Sequence, residues 1–188
     1  PPPTSILNPY SPVLAGELRD LSKRSHVPFF ALAACAAVTE RITLANGICL
    51  VTQRDPNTLA KEVATLDVIA NGRLLLGVGA GWSQVELEHH GVAFKDRWRV
   101  LKERIEAMKM IWTQEEPSFD GEFVKFEPMW SYPKPIQSRG PKIWIGANSK
   151  FVPDRVADYA DGWMPIRGRP GGGSIEMLRE ASEKGGRD

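Results

Sequence analysis

The stretch ITLANGICLVTQRDPNTLAKEVATLDVIANGRLLLGVGAGW, residues 42–82, contains the pattern from which the fold follows. Its first part, 42–51, is rich in β-branched and aliphatic residues and predicts a strand, which an Asn-Gly pair interrupts with a bulge or a sharp turn. An Asp-Pro pair and a later Asn-Gly pair bound a predicted helix over 55–72. The apolar run 73–78 predicts a second strand, buried on both faces as parallel strands usually are.

Helices and strands continue to alternate on both sides of this stretch. The alanine-rich run 27–38 predicts a buried helix upstream. Downstream, apolar residues three and four apart predict an amphipathic helix over 96–112. Nearer the carboxyl end we expect strands at 142–147 and 162–166 and helices at 153–160 and 174–184.

The segment 113–140 differs from the rest, because it holds prolines and many aromatic residues without a sustained period. It predicts a long loop with at most short strands near 123–126. Loops of this length are often functional. Trp130 and Tyr132 are therefore candidates for part of a lid, with an equal alternative as anchors of the loop.

Strands separated by helices imply a parallel sheet with right-handed crossovers, in either an open doubly wound sheet or a (β/α)8 TIM barrel. Periodicity alone leaves both open. About four strand–helix units are visible in 188 residues, whereas a barrel needs eight units and about 250 residues. The barrel interpretation therefore treats 1–188 as a single α/β domain, an incomplete barrel that is a fragment or lacks segments.

Composition narrows the class of partner. Lys plus Arg total 24 against 23 for Asp plus Glu, so the net charge of +1 gives no electrostatic reason to expect nucleic acid or an anionic membrane. No run approaches the roughly 18 apolar residues of a membrane span. Cys35 and Cys49 lie in apolar runs and suggest no disulfide framework, which fits a reducing compartment. We expect a cytoplasmic protein that binds a small molecule.

A glycine run, 77–81, follows the second predicted strand. Glycines at this position let a ligand approach backbone N–H groups closely, although they also permit tight packing of strand against loop without any ligand. The run lacks the spacing of a dinucleotide fingerprint. A Rossmann dehydrogenase that binds NAD at this run remains an alternative, and it predicts an open sheet.

Few side chains in the sequence suit direct catalysis. His89 and His90 lie near Glu86 and Glu88, but neighbouring residues on a helix point about 100° apart, so we expect no metal site. His90 is the one catalytic candidate. There is no nucleophile elbow and no P-loop, which disfavours hydrolysis. Redox chemistry by a bound organic cofactor needs fewer catalytic side chains, because the cofactor supplies the difficult step.

The order of six segments resembles the bacterial-luciferase-like family over most of the chain. These segments are AAVTERITLANGICLVTQRDPNTLAKEVATLDVIANGRLLLGVGAGW, KDRWRVLKERIEAMKMIW, GEFVKFEP, PKPIQ, PKIWIGANS and DGWMPI. The form carrying GICLVTQRDP is most similar to the subgroup that is expected to use the deazaflavin coenzyme F420, while other members use FMN. The resemblance implies a homodimer and a TIM barrel of which this chain holds about strands three to six.

The resemblance also implies where the cofactor binds. The family carries a non-prolyl cis peptide bond at the end of the third strand that supports the flat ring, and Gly47-Ile48 occupies that position. Residues 79–82 would line the cofactor face, with Trp82 where some deazaflavin enzymes have a carboxylate. The segment 146–149 would meet the ribityl or phosphate part. The candidate cofactor-binding residues are Gly47, Ile48, Gly79, Trp82, Gly146, Ala147, Asn148 and Ser149.

The function implied is hydride transfer between F420 and an unknown organic substrate. Two alternatives stay open: an FMN-dependent luciferase-like monooxygenase, and a non-catalytic flavin- or deazaflavin-binding protein, since a fold does not fix a function. Because Trp82 departs from the carboxylate of some relatives, the resemblance assigns no catalytic acid.

Overall fold

The computed structural model describes residues 26–166 and 175–186. Its main sheet is parallel throughout. Two short strands, β1 and β2, pair one after the other with the same edge of the long strand β3. The other edge of β3 pairs with β6, and β6 pairs with β7. The bounds are β1 Leu44–Ala45, β2 Cys49–Leu50, β3 Leu74–Gly79, β6 Lys142–Ile145 and β7 Gly162–Trp163.

The strand order decides between the two predicted topologies. Each new strand is added on the same side of the sheet as the chain proceeds, so the order never reverses. A doubly wound dinucleotide-binding fold has a reversal, where its ligand crevice forms. The Rossmann alternative is therefore wrong, and the sheet is a section of a barrel wall that does not close within the described residues.

The predicted strand at 42–51 is divided in the structure because one extra residue is inserted on its side of the ladder. Ala45 pairs with Leu75, whereas Cys49 pairs with Val78. Four residue steps on one strand thus face three on the other, which is a β-bulge. The bulge lies at the Asn-Gly pair from which the sequence predicted an interruption.

Helices cover one side of the sheet. In the described ranges they are α1 Pro28–Val38, α2 Pro56–Ile69, α3 Gln84–His89, α4 Arg97–Thr113, α5 Val152–Tyr159 and α6 Ile175–Lys184, with 3-10 turns at Val51–Gln53 and Phe94–Asp96. α2 starts as predicted, since Asp55 accepts a hydrogen bond of 2.7 Å from the Thr58 N–H and Pro56 follows it. α3 was not predicted, because its six residues are too short for a periodic signal.

The core lies between the strands and helices α2 and α4. Its fully buried side chains come from the faces whose apolar spacing predicted these helices and from β3 and β6. They include Leu59, Val63, Leu76, Val78, Leu101, Ile105, Met108, Ile111, Ile143 and Ile145.

The long loop contains more structure than predicted. β4 Phe119–Asp120 and β5 Lys125–Phe126 form an antiparallel hairpin. The Glu103 carboxylate on α4 accepts hydrogen bonds of 2.6 Å from the backbone N–H groups of Phe123 and Val124. Trp130 donates to Glu116 and Tyr132 donates to Glu115. These bonds favour the interpretation of Trp130 and Tyr132 as anchors of the loop.

The amino edge of the sheet, where the strands begin, is fastened by charged side chains. Arg73, just before β3, donates five hydrogen bonds to Thr39 and to backbone carbonyls near the end of α1 and α2. Asp67 is fully buried and accepts from the Gln137 backbone and side chain. The Gln137 amide also donates to the Leu74 carbonyl at 2.8 Å. The buried Asp67 carboxylate is thus paired, as the cost of burying a charge requires.

Within the described ranges, helices are all too short or too polar to cross a membrane.

Candidate functional site

Three segments that follow different strands meet at the carboxyl edge of the sheet. A Cβ atom built on Gly79 would clash with Ile48 Cδ1, and one built on Gly146 would lie 2.5 Å from Ile48 Cγ2. Glycine is therefore required at both positions for the Ile48 side chain to lie across the ends of β3 and β6. We call Gly47, Ile48, Gly79 and Gly146 the platform. The sequence named all four residues, and the structure brings them together.

The platform presents apolar surface and bare backbone. Gly47 is exposed and Ile48 is partly exposed, whereas Gly79 beneath is buried. The peptide bond between Gly47 and Ile48 is cis, as the sequence resemblance predicted. Met164, after β7, lies beside them, with its sulfur 3.5 Å from a Cβ built on Gly47. Such a surface suits the face of a flat, largely apolar ring system, so the residues present fit a flavin or deazaflavin.

Asn46 supports this surface from below and was not among the predicted site residues. Its side chain is only 4% exposed. The amide nitrogen donates to the Gly77 carbonyl at 2.8 Å, and the amide oxygen accepts from the Gly77 N–H at 3.2 Å. The available signal was a polar residue inside an otherwise apolar strand, since buried amides are almost always hydrogen-bonded.

The segment after β6 is tied to the next strand. The Asn148 amide donates to the Ile166 carbonyl at 2.9 Å and accepts from the Ile166 N–H at 2.7 Å. Trp163 donates to the Ala147 carbonyl at 2.7 Å. Ser149 accepts from the Phe151 N–H at the start of α5. The predicted residues Ala147, Asn148 and Ser149 therefore follow Gly146 at the same edge, and their groups hold the loop.

The segment after β3 turns outward into α3. Gly81 has a φ of +80°, which favours glycine, and Ser83 caps the helix by accepting from the Glu86 N–H. Trp82 is partly exposed between them. The buried Thr52 hydroxyl donates to the Ala80 carbonyl at 3.2 Å, which joins this turn to the segment after β2. Trp82 thus follows β3 at the carboxyl edge, as expected.

His90 lies elsewhere. It is exposed at the end of α3 and lines a separate cavity of about 370 Å3, the outer pocket, together with Asn57, Arg104 and the hairpin. Arg104 donates to the carbonyls of Val51 and Arg54, and burial lowers its pKa. No platform residue lines the outer pocket. The structure therefore does not bring the catalytic candidate His90 together with the cofactor-binding candidates.

Across residues 26–166 and 175–186, His, Cys, Asp and Glu side chains form no cluster of three that could hold a metal ion.

Comparison with known proteins adds the family. The model of the luciferase-like monooxygenases matches residues 10–188, which is nearly the whole chain. The chain belongs to the luciferase-like monooxygenase family. The sequence resemblance is confirmed, and the open parallel sheet of this luciferase-like chain corresponds to a section of the family's barrel.

Curated relatives fall on both sides of the cofactor question. An uncharacterized protein of Mycobacterium tuberculosis is 46% identical over 145 residues, covering 77% of this chain and 51% of the relative. The FMNH(2)-dependent dimethylsulfone monooxygenase of Pseudomonas putida is 32% identical and is covered over 39% of its length, against 78% of this chain. The F420-dependent glucose-6-phosphate dehydrogenase of Nocardia farcinica is 31% identical, with coverage of 78% and 45%.

Solved structures agree on the fold. The monooxygenase RslO1 of Streptomyces bottropensis superposes with a TM-score of 0.75 at 26% identity, covering 86% of this chain and 51% of that one. An F420-dependent secondary alcohol dehydrogenase in complex with an F420-acetone adduct gives a TM-score of 0.76 at 22% identity, with coverage of 88% and 52%. The luciferase-like chain thus spans about half the length of the relatives it matches.

Proposed function

We propose that the protein carrying this chain is an oxidoreductase that transfers a hydride between F420 and a small organic substrate. The observation that carries the proposal is the platform, where glycines let Ile48 lie flat beside exposed backbone at the carboxyl edge of a barrel wall. Active sites of such barrels lie at this edge. The relative that acts with F420 supports the choice of cofactor.

When bound, F420 supplies or accepts the hydride, so the chain's own residues have to bind, orient and exclude water. Ile48 offers an apolar surface to the ring, and Gly47 and Gly79 leave its approach clear of side chains. Residues 146–149 offer backbone groups and the Ser149 hydroxyl to the polar tail. Trp82 is proposed to help keep the pocket dry, which favours hydride transfer over side reactions.

The FMN-dependent monooxygenase is the second candidate. Its support is the FMNH(2)-dependent relative, which is as similar to this chain as the F420-dependent one is. Trp82 stands in place of the carboxylate of some deazaflavin enzymes, so the platform also suits a flavin. The family resemblance further leads us to propose a cytoplasmic homodimer.

A pair of titrations tests the proposal. The complete natural protein is titrated with F420 and, separately, with FMN, and binding is followed by quenching of tryptophan fluorescence. We expect tight binding of F420 and weaker binding of FMN. The reverse preference would move the protein to the monooxygenase branch, and binding of neither would overturn both.

Turnover separates an enzyme from a carrier. Reduced and oxidised F420 are mixed with the protein and a panel of alcohols, aldehydes and ketones, and the change in F420 absorbance is recorded. Oxidation or reduction of the coenzyme that depends on one substrate supports the enzyme. Tight binding without turnover by any class of substrate would favour the non-catalytic binding protein.

A further inference from the structure

The β-bulge between β1 and β2 leaves a gap in the ladder next to the platform. The extra residue on this strand displaces its backbone from the partner groups of β3. At a bulge the ladder is locally disrupted, and unpaired backbone groups in a buried sheet are costly. Gly77 on β3 faces this gap, and a Cβ built on it would clash with the Asn46 carbonyl oxygen.

The Asn46 carboxamide fills the gap. A carboxamide has the same donor and acceptor as a peptide group, and here each is used once, toward the Gly77 carbonyl and the Gly77 N–H. The side chain thus replaces the missing peptide of the ladder. Because it is buried, solvent offers its partners no substitute.

Asn46 acts on the platform through the backbone that connects it to Ile48. Ile48 is two residues beyond Asn46 and must cross both β3 and β6 to contact Gly79 and Gly146. We infer that Asn46 is a positioning residue, which sets the place of Ile48 and therefore the affinity for the cofactor ring. This inference rests on the proposed function for the identity of the ring.

A second asparagine, Asn148, makes the same kind of paired hydrogen bonds at the other end of the platform. Asn148 pairs with both backbone groups of Ile166, as Asn46 pairs with those of Gly77. The regular pairing of β6 with β7 ends at Ile145, so this amide also extends a ladder past its last residue. Two asparagines thus hold neighbouring segments at the carboxyl edge of the sheet.

The test compares two side-chain amides that hydrogen-bond to the same strand, β3. Asn46→Leu removes both bonds to Gly77 near the carboxyl end of β3. Gln137→Leu removes the side-chain bonds to Asp67 and to the Leu74 carbonyl at the amino end of β3, and is the matched control. Both variants should lose stability in urea denaturation, because each leaves the hydrogen-bond partners of the amide unsatisfied. Only Asn46→Leu should weaken binding of F420 and FMN, by about tenfold or more.

A pH titration of Asn46→Asp gives a readout that a merely structural role would not move. The introduced carboxylate keeps an acceptor for the Gly77 N–H but sets a second oxygen against the Gly77 carbonyl. Protonation turns that oxygen into a donor, so affinity for the ring should recover as the pH falls from 8 to 5. The wild-type affinity measured over the same range provides the reference.

Hydrogen exchange in the cofactor-free protein tests the positioning step alone. Asn46→Leu should speed exchange in the peptide that contains residues 46–50 and leave the peptide at 72–76 unchanged, whereas Gln137→Leu should do the opposite. Equal effects of the two variants on both exchange and affinity, or no pH recovery, would overturn the inference. If wild type binds neither FMN nor F420, the proposed function fails, and exchange still decides the role of Asn46.

Discussion

At the amino edge of the sheet, Arg73 and the Asp67–Gln137 pair fasten strands to helices with long side chains, and five hydrogen bonds come from one guanidinium. At the carboxyl edge, two short asparagine amides make the hydrogen bonds, and glycines leave the surface with few side chains. We infer that the same sheet separates stability at one edge from ligand binding at the other, as barrels generally do. The predictions below test that separation.

The largest expected effect is at the platform. Gly146→Leu should abolish detectable binding of F420 and FMN, because its Cβ alone would displace Ile48. Fluorescence titration measures the binding, and circular dichroism confirms the fold. Gly185→Leu is the control, since Gly185 is exposed, has no positive φ, and a Cβ there meets no atom closer than 3.4 Å. Full affinity in Gly146→Leu would show that the ring binds elsewhere.

At the opposite edge the effect should fall on stability alone. Arg73→Met removes the guanidinium that joins the ends of α1 and α2 to the start of β3. We expect the free energy of unfolding to drop by about 3 kcal/mol, while affinity for F420 and FMN stays unchanged. Urea denaturation and the same titration measure the two quantities. A parallel loss of affinity would contradict the separation of the edges.

The two cysteines report how tightly each region is closed. Burial raises the pKa of the Cys49 thiol to about 11, whereas Cys35 is exposed on α1. Because the thiolate is the reactive form, iodoacetamide at pH 8 should modify Cys35 and spare Cys49, as peptide mass spectrometry would record. Rapid modification of Cys49 in the native protein would show that the strand beside the platform opens.

The raised pKa of the Cys49 thiol makes the stability of the protein depend on pH. The folded state disfavours the Cys49 thiolate, so burial of the neutral thiol lowers the free energy of unfolding by nothing below the unfolded pKa of about 9.0. The free energy of unfolding falls as the pH rises toward about 11, because the thiol ionises in the unfolded state before it does in the folded state. Unfolding free energy should therefore fall less over this range in Cys49→Ala than in wild type. An equal fall in both would show that the thiol ionises as readily in the folded protein as in the unfolded one.

The smallest effect is expected where the two loops of the carboxyl edge meet. Thr52→Val removes one buried hydroxyl bond of 3.2 Å to the Ala80 carbonyl and keeps the side-chain shape. The free energy of unfolding should fall by about 1 kcal/mol, with at most a small loss of ring affinity. Thermal unfolding and fluorescence titration measure both. A gain in stability would mean that the Ala80 carbonyl has another partner.

The helices could be predicted from the sequence because their signals are local, whereas the platform residues Gly47, Ile48 and Gly146 were named only through the family resemblance. The cap at Asp55, the apolar period of α4 and the glycines after β3 each follow from residues a few positions apart. The roles of Asn46, Glu103 and Arg104 could not be predicted, since their partners lie 20 to 53 residues away in the chain. The separation of His90 from the platform could not be predicted either, because nothing near it in the sequence shows that α3 turns outward.

The most direct test of the central claim is a crystal structure of the complete natural protein with F420, and with FMN. We predict that the ring lies against Ile48, with ring atoms within about 4 Å of the side chain and above Gly79 and Gly146. A ring bound in the outer pocket beside Arg104, or against any face other than the platform, would contradict it.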